Sequence, residues 1–400
     1  MNFSFGKIFK GDRVLWIVLI FLSLISLLIV YSATGKLAYR VAGGNTGYYL
    51  IRQSVFIGLG IALMVFLVNV VPVKIYSIFA NLMVGLTFFA LIAAIIQFKL
   101  DPNKATPRTL TIWVISFQPA ELAKISLVMF AAKMLSKYQK TKEELRHAFF
   151  WVVGVSAVIC GIIFYGDIST SALIFGSIMA MLFVARVPLK YFFLLVASII
   201  LLGVTIYFTA DILPKSFGRV HTFKERIDDF VYGDKDSEEG TTQADFAKLA
   251  IYEGGIIGKG PGRSEVSNYM EAGYNDFIYS IIIEEYGFAG GLFVLFLYLI
   301  FFYRGVVIIR KSNRTFPAFL VTGLVLVLIF QASINMAVSA GVVPVTGQPL
   351  PWISLGGTSM LFTAIAFGAI LTVSYQNNKQ KEAEEQLVVV DTPDEDEELK

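Results

Sequence analysis

Asp276 is the carboxylate best placed to do chemistry in this chain. It lies in EAGYNDFIYSIIIEEYGFAGG, 271–291, directly before a long apolar run and after the glycine-rich approach GGIIGKGPGR. A carboxylate there can cap the following helix, where the macrodipole favours negative charge. It can also face a cavity and take a proton as a general base. Glu284 and Glu285 follow two turns deeper. Ionisable groups inside apolar segments are costly and mark functional sites by default. At least one of these two is therefore expected to face the protein interior with hydrogen-bond partners.

A second group lies in RTLTIWVISFQPAELAKISLVMF, 108–130. Glu121 and Lys124 are three residues apart, so on a helix they share a face and can pair. The pair either knits helices together or touches substrate, because Arg108, Trp113 and Gln118 cluster beside it in the sequence. Asp167, in YGDISTSALIF, sits at a very short turn between two apolar segments. There it is expected to cap the second segment through backbone N–H groups. Asn335 interrupts another apolar run, where an amide more often bridges helices than binds ligand. Neither His147 nor His221 stands in a Cys/His/carboxylate spacing that suggests a structural metal site. No GxxxxGK[ST] phosphate loop is present, so an ATP-driven pump is not indicated.

The elements that must position these groups are membrane helices. The 400 residues are 56% hydrophobic with mean hydropathy +0.69. A membrane-crossing helix needs about 20 mainly apolar residues, and the runs predict ten: 14–34, 48–71, 74–98, 119–137, 147–165, 168–186, 190–210, 275–303, 316–340 and 354–376. The fold class is thus all-α and polytopic. The N-terminus lacks the order of a signal peptide, so the first run is expected to stay as a span. The lone Cys160 lies inside a span and has no disulfide partner within the chain. Lys and Arg favour the cytoplasmic side of short loops. Lys7, Lys10, Arg13, Lys74, Lys137, Lys140, Lys142, Arg146, Arg186, Lys190, Arg304, Arg310, Lys311 and Arg314 would all share one side. Both termini are therefore expected in the cytoplasm, with residues 1–13 as a short lead, 14–377 as the membrane domain and 211–274 as a large outer loop. Within that loop Ala244, Ala247, Leu249, Ala250 and Ile251 have the pattern of an amphipathic helix. The last stretch, 378–400, contains EAEEQ and DTPDEDEELK and reads as a disordered acidic tail.

One connection stands apart. QASINMAVSAGVVPVTGQPLPWISLGGTS, Gln331 to Ser359, holds Pro344, Pro349 and Pro351 with four glycines. It cannot be regular helix, yet it is too apolar for a solvated loop. Irregular backbone at membrane depth survives only where protein or a watery cavity surrounds it. An enclosed, shaped connection is expected.

These residues carry a family resemblance. WVISFQPAELAK at 113–124, GDIST at 166–170, GGIIGKGPGRSEVSNYMEAGYNDFIYSIIIEEYG at 254–287 and NMAVSAGVVPVTGQPLPWISLGG at 335–357 resemble the shape, elongation, division and sporulation (SEDS) family, the RodA/FtsW-type peptidoglycan polymerases. The blocks follow the family's order, and the resemblance runs from the first span to the last. It departs in places. ISLGG stands for the usual ISYGG, Gln348 takes a position usually aliphatic, and GDIST replaces PDLGT. In the outer loop Gln243 matches a family glutamine, while Phe246 stands where a second is common. These changes count against those side chains as ligands.

The resemblance implies an inverting glycosyltransferase that polymerises lipid II into β-1,4 glycan outside the cytoplasmic membrane. Asp276 matches the family's essential aspartate and is the expected base. Arg108, Trp113, Gln118, Glu121, Lys124, Arg226, Gln243, Lys259 and Asn335 are the expected substrate contacts. Pyrophosphate charge would be met by Lys124, Arg108, Arg226, Lys259 or Arg263, or by a divalent cation, Mg or Mn; no other cofactor is implied. The implied partners are lipid II, the nascent glycan, a class B penicillin-binding protein, other divisome proteins and membrane lipid, with no nucleic acid. PVTGQPLPWISLGGTSMLFTAIAFG and RTFPAFLVTGL look more like FtsW versions, which implies septal synthesis in cell division. The competing readings are a lipid II flippase, a RodA-like elongation polymerase and a non-catalytic scaffold.

Overall fold

A computed structural model describes residues 8–41, 43, 45–101, 106–113, 115–210, 212, 221, 224–225, 227–228, 243–270 and 273–390. The helices are α1 Arg13–Ala33, α2 Gly35–Val41, α3 Thr46–Val70, α4 Val73–Leu100, α5 Pro119–Lys137, α6 Lys142–Gly166, α7 Ile168–Val184, α8 Leu189–Thr209, α9 Gln243–Gly254, α10 Ile278–Arg310, α11 Thr315–Ser339 and α12 Thr358–Val390. Strands β1 Leu110–Ile112 and β2 Ile115–Phe117 form a small antiparallel hairpin between α4 and α5.

Eight helices among the described residues are long and apolar enough to cross a membrane. The other two expected spans fall on α5 and α7. α7 is apolar but shorter, and α5 carries Glu121, Lys124 and Lys133. Apolar side chains cover the outside of the bundle, as lipid contact requires, and also fill its centre. α11 is the central helix, with α10, α5 and α7 against it, and α12 runs along α3. α8 is the opposite case: no residue in it is buried, and it touches the bundle at α7.

Local rules explain the helix ends. Asp12 caps α1 by accepting from the Leu15 N–H at 3.0 Å and also pairs with Arg304 of α10, tying two distant helices. Thr141 caps α6, and Asp167 caps α7 by accepting from the Thr170 N–H at 3.0 Å, as its position between two spans predicts. Pro119 opens α5, where its missing N–H costs nothing.

Two features depart from the expected organisation. The hairpin was not legible as strand. Its β1 is held by Gln97 of α4, whose amide donates to the Thr111 carbonyl at 3.0 Å and accepts from the Thr111 N–H at 2.9 Å, acting as a third strand. In addition, α12 continues to Val390, so the segment after 377, read as disordered tail, begins as helix. Residues 391–400 lie outside the described residues, as do most of 211–242 and the candidate Arg226.

α10 is broken at Gly287, whose φ is 71°. The segment after α9 repairs the break. The Lys259 and Gly260 N–H groups donate to the Glu284 and Glu285 carbonyls, each at 2.9 Å, and the Phe288 and Ala289 N–H groups donate to the Gly255 and Ile256 carbonyls. A freed backbone group in a membrane must find such a partner. A methyl group on Gly287 would overlap the Ile256 carbonyl. Gly287→Ala is therefore expected to cost at least about 2 kcal/mol, from strain at positive φ plus that overlap. Thermal unfolding in detergent checks this, with Gly154→Ala, which has open space at its Cβ, as the control expected to melt normally.

Candidate functional site

Asp276 lies one residue before Phe277, the N-cap position of α10, which has no capping side chain. Its carboxylate faces the irregular connection between α11 and α12: Oδ2 is 3.6 Å from where a Cβ on Gly347 would stand. Gly347 has φ 68°, a conformation that suits glycine. Asn275 donates to Asp276 Oδ1 at 3.1 Å.

The backbone around Asp276 is fixed by side chains from other helices. Asn335 of α11 donates both to the Asp276 carbonyl at 2.9 Å and to the Gln348 carbonyl at 2.8 Å. Ser354 donates to the Asn275 carbonyl at 2.8 Å and accepts from the Leu350 N–H at 2.8 Å. The Leu355 N–H donates to the Tyr274 carbonyl at 3.2 Å. Asn335 is thus a bridge, and what it bridges is the aspartate-bearing turn and the connection beside it.

The connection itself is held carbonyl by carbonyl. Gln331 reaches the Pro349 carbonyl at 2.8 Å, Ser26 the Ile353 carbonyl at 2.8 Å, and Gln53 the Ser354 carbonyl at 3.3 Å. The Tyr298 hydroxyl donates to the Pro351 carbonyl. Gln53 also accepts from the Gly356 N–H at 3.0 Å, and the Trp352 indole donates to Ser23 at 2.8 Å. Buried amides and hydroxyls of four helices do the work that regular structure does elsewhere.

Glu121 and Lys124 form a buried ion pair at 2.8 Å, and the same ammonium donates to the Gln331 side chain at 2.8 Å. The pair therefore reaches the connection through Gln331. Arg108 is more exposed than Lys124. Its guanidinium donates to the Gly166 carbonyl at 3.0 Å and is 3.4 Å from Asp167. With Gln118, Arg108 and Asp167 line a small cavity between α4, α5 and α6. Thr170, capped by Asp167, accepts from the Gln348 side chain at 2.8 Å. Gln348, the departure from the family pattern, is therefore a buried strut between α7 and the connection.

Other candidates lie apart from this network. Trp113 sits in the turn of the hairpin with φ 57° and is 96% exposed; its sequence neighbours Gln118 and Glu121 do not share its surroundings. Lys259 is occupied by Glu253 and by Glu284 at 3.3 Å. The Glu253 hydrogen bond holds its ammonium above the usual lysine range, against the opposing pull of burial. Gln243 begins α9. Glu284 and Glu285 are both buried. Glu284 accepts from Ser264 and from the N–H groups of Glu265 and Val266 at 3.0 and 3.3 Å, while Glu285 accepts from Ser32 of α1. Both carboxylates clamp the loop and helix neighbours of α10.

Sequence reasoning missed Gln331, Gln53, Thr170 and Ser354. The signal was present: an amide or hydroxyl in an otherwise apolar span needs a buried partner. The partner's identity was not, because it is a carbonyl hundreds of residues away in some cases.

The sequence and the fold have known parallels. The family profile covering FtsW, RodA and SpoVE, described as "Cell cycle protein", matches residues 12–379. "Stage V sporulation protein E" of Bacillus subtilis is 29% identical over 91% of this chain and 96% of its own. A protein of Enterococcus hirae named "Probable peptidoglycan glycosyltransferase FtsW" is 31% identical over 93% of this chain and 95% of its own. Among solved structures, a chain from work on polymerisation and crosslinking by a peptidoglycan synthase complex superposes with TM-score 0.70 at 22% identity, covering 91% of this chain and 97% of that one.

Proposed function

The chain belongs to the FtsW, RodA and SpoVE family of cell cycle proteins, and on that premise we propose that it is a peptidoglycan glycosyltransferase that polymerises lipid II at the outer face of the bacterial cytoplasmic membrane. The observation that carries this reading is Asp276: a carboxylate held at the start of α10 by Asn335 and Ser354 through the turn's backbone, and facing the open backbone at Gly347.

Asp276 takes the proton from the 4-hydroxyl of the acceptor's N-acetylglucosamine as that oxygen attacks the anomeric carbon of the donor's N-acetylmuramic acid. The bond from that carbon to the lipid pyrophosphate breaks, and the pyrophosphate leaves with the electron pair. An α-linked donor yields a β-1,4 product in one displacement, which needs one base and no covalent intermediate. The developing negative charge calls for cations. Arg263 is the described candidate with the lightest existing commitments, since Lys124 and Lys259 serve Glu121 and Glu284, and Arg108 serves Asp167 and the Gly166 carbonyl. A divalent cation, Mg or Mn, would arrive on the pyrophosphate; among the described residues no three His, Cys, Asp or Glu side chains group as a metal site.

The relatives' names and the sequence of the last connection favour a septal role in division over elongation. Ten spans with both termini in the cytoplasm put α10's start and the α11–α12 connection on the outer side, together with the turn at Asp167. A class B penicillin-binding protein is the proposed partner, supported by the likeness to a chain of a peptidoglycan synthase complex.

Purified protein incubated with lipid II in detergent, with and without the transpeptidase, tests the reading. Glycan strands are expected without any membrane to cross. Protein that moves lipid II between leaflets of a vesicle yet yields no glycan in either assay would overturn it.

A further inference from the structure

At the other end of α6 from Asp167, a groove of about 630 Å³ opens between α6 and α8. That volume lies within the range of ordinary ligand sites. Its lining is Glu143, Arg146, His147, Phe150 and Trp151 of α6, with Tyr191 of α8. The five α6 residues follow i, i+3, i+4, i+7, i+8 spacing, which is one continuous stripe down a helix. The stripe is graded: charged and polar at the helix start, then aromatic one to two turns inward.

We propose that this groove binds an anionic glycerophospholipid of the cytoplasmic leaflet, with its phosphate on Arg146 and its acyl chains along Phe150 and Trp151. Arg146 is exposed and makes no ion pair or hydrogen bond among the described residues. Glu143 is the one carboxylate in the lining against the one guanidinium of Arg146, and Lys137, Lys140, Lys142, Arg186 and Lys190 flank the starts of α6 and α8, on the side expected to be cytoplasmic. Glu144, the neighbouring acid, already accepts from the Lys140 N–H at 3.0 Å. An excess of Lys and Arg beside such a groove suits anionic headgroups.

The apolar half of the groove is built for chains. Phe150 and Trp151 are 58% and 51% exposed. Tyr191 stacks its edge near Phe150, with ring centroids 5.8 Å apart, and His147 bridges Tyr138 and Trp151 at 5.1 and 6.2 Å. No residue of α8 is fully buried, and only Tyr191, Phe192, Leu195 and Val196 pack partly against the bundle, so a lipid between these rings would complete its seat.

Native mass spectrometry of the full chain in detergent, titrated separately with phosphatidylglycerol and phosphatidylcholine, tests the site. Phosphatidylglycerol is expected to bind more tightly. Arg146→Gln should weaken phosphatidylglycerol about fivefold, the effect of one interfacial cation, and leave phosphatidylcholine unchanged. Trp151→Ala should weaken both lipids. Equal binding of the two lipids by the parent chain, or unchanged phosphatidylglycerol binding by Arg146→Gln, would overturn the proposal. Binding in detergent is independent of orientation and of the reaction. Glycan synthesis by Arg146→Gln without added lipid is expected at the parent rate.

Discussion

Asp276→Asn, purified as a folded protein, should make glycan from lipid II at least about a hundredfold more slowly than the parent chain, the usual contribution of a positioned general base. The substitution keeps size and shape. The Asp276 carbonyl still accepts from Asn335 at 2.9 Å, so the turn and its contact with the α11–α12 connection persist. What is lost is the basic carboxylate that takes the acceptor's proton, since an amide oxygen is far too weak a base. The thermal midpoint in detergent should stay near that of the parent, and lipid II should still bind. A second carboxylate serves as control. Asp167→Asn retains an oxygen for the Thr170 N–H and weakens only the pairing with Arg108, so it should slow synthesis far less. Near-normal glycan from Asp276→Asn would remove this residue as the base. Equal losses from both variants would point to a general electrostatic effect of the outer face.

The second large effect is on stability. Lys124→Met leaves Glu121, which is 7% exposed, without its cation. A buried pair broken on one side typically costs about 3–5 kcal/mol, because the remaining charge stays desolvated. The loss also frees the Gln331 oxygen, whose amide holds the Pro349 carbonyl, so the fault spreads to the connection beside Asp276. Thermal unfolding in detergent should show a sharp fall for Lys124→Met. Glu121→Gln combined with Lys124→Met should recover most of it, since no charge is then buried. The double variant separates two roles. If the pair only knits α5 to α11, the recovered protein makes glycan. If the pair touches substrate, the recovered protein is stable and inactive. A Lys124→Met variant as stable as the parent would show that the pair contributes nothing to the fold.

Much of this was open to a reader of the sequence. Period and length of apolar runs gave the helices, and Asp167 marked where one of them begins. The spacing of Glu121 and Lys124 gave their ion pair, and the cost of charge in lipid placed at least one of Glu284 and Glu285 inside, where the structure puts both. The hairpin at 110–117 escaped because its order comes from Gln97, a side chain on another element. The helix break at Gly287 escaped for a similar reason. The residue alone does not break a helix, but the Gly255–Gly260 backbone that docks on it permits the break.

The chain by itself determined the membrane class, the family and the fact that the Pro- and Gly-rich part of Gln331–Ser359 must be irregular and enclosed, although Gln331–Ser339 still continues α11 as regular helix. Those follow from composition, local backbone preference and the expense of unpaired polar groups in lipid. Only the tertiary structure decided what encloses that connection and what it faces. Asn335, Gln331, Gln53, Ser26 and Tyr298 come from four helices to meet its carbonyls, and Gly347 is brought against Asp276 from 71 positions along the chain. Hydrogen bonds between a side chain and a remote carbonyl have no period and no motif. They exist only once the helices have packed, and here they set the backbone that positions the carboxylate.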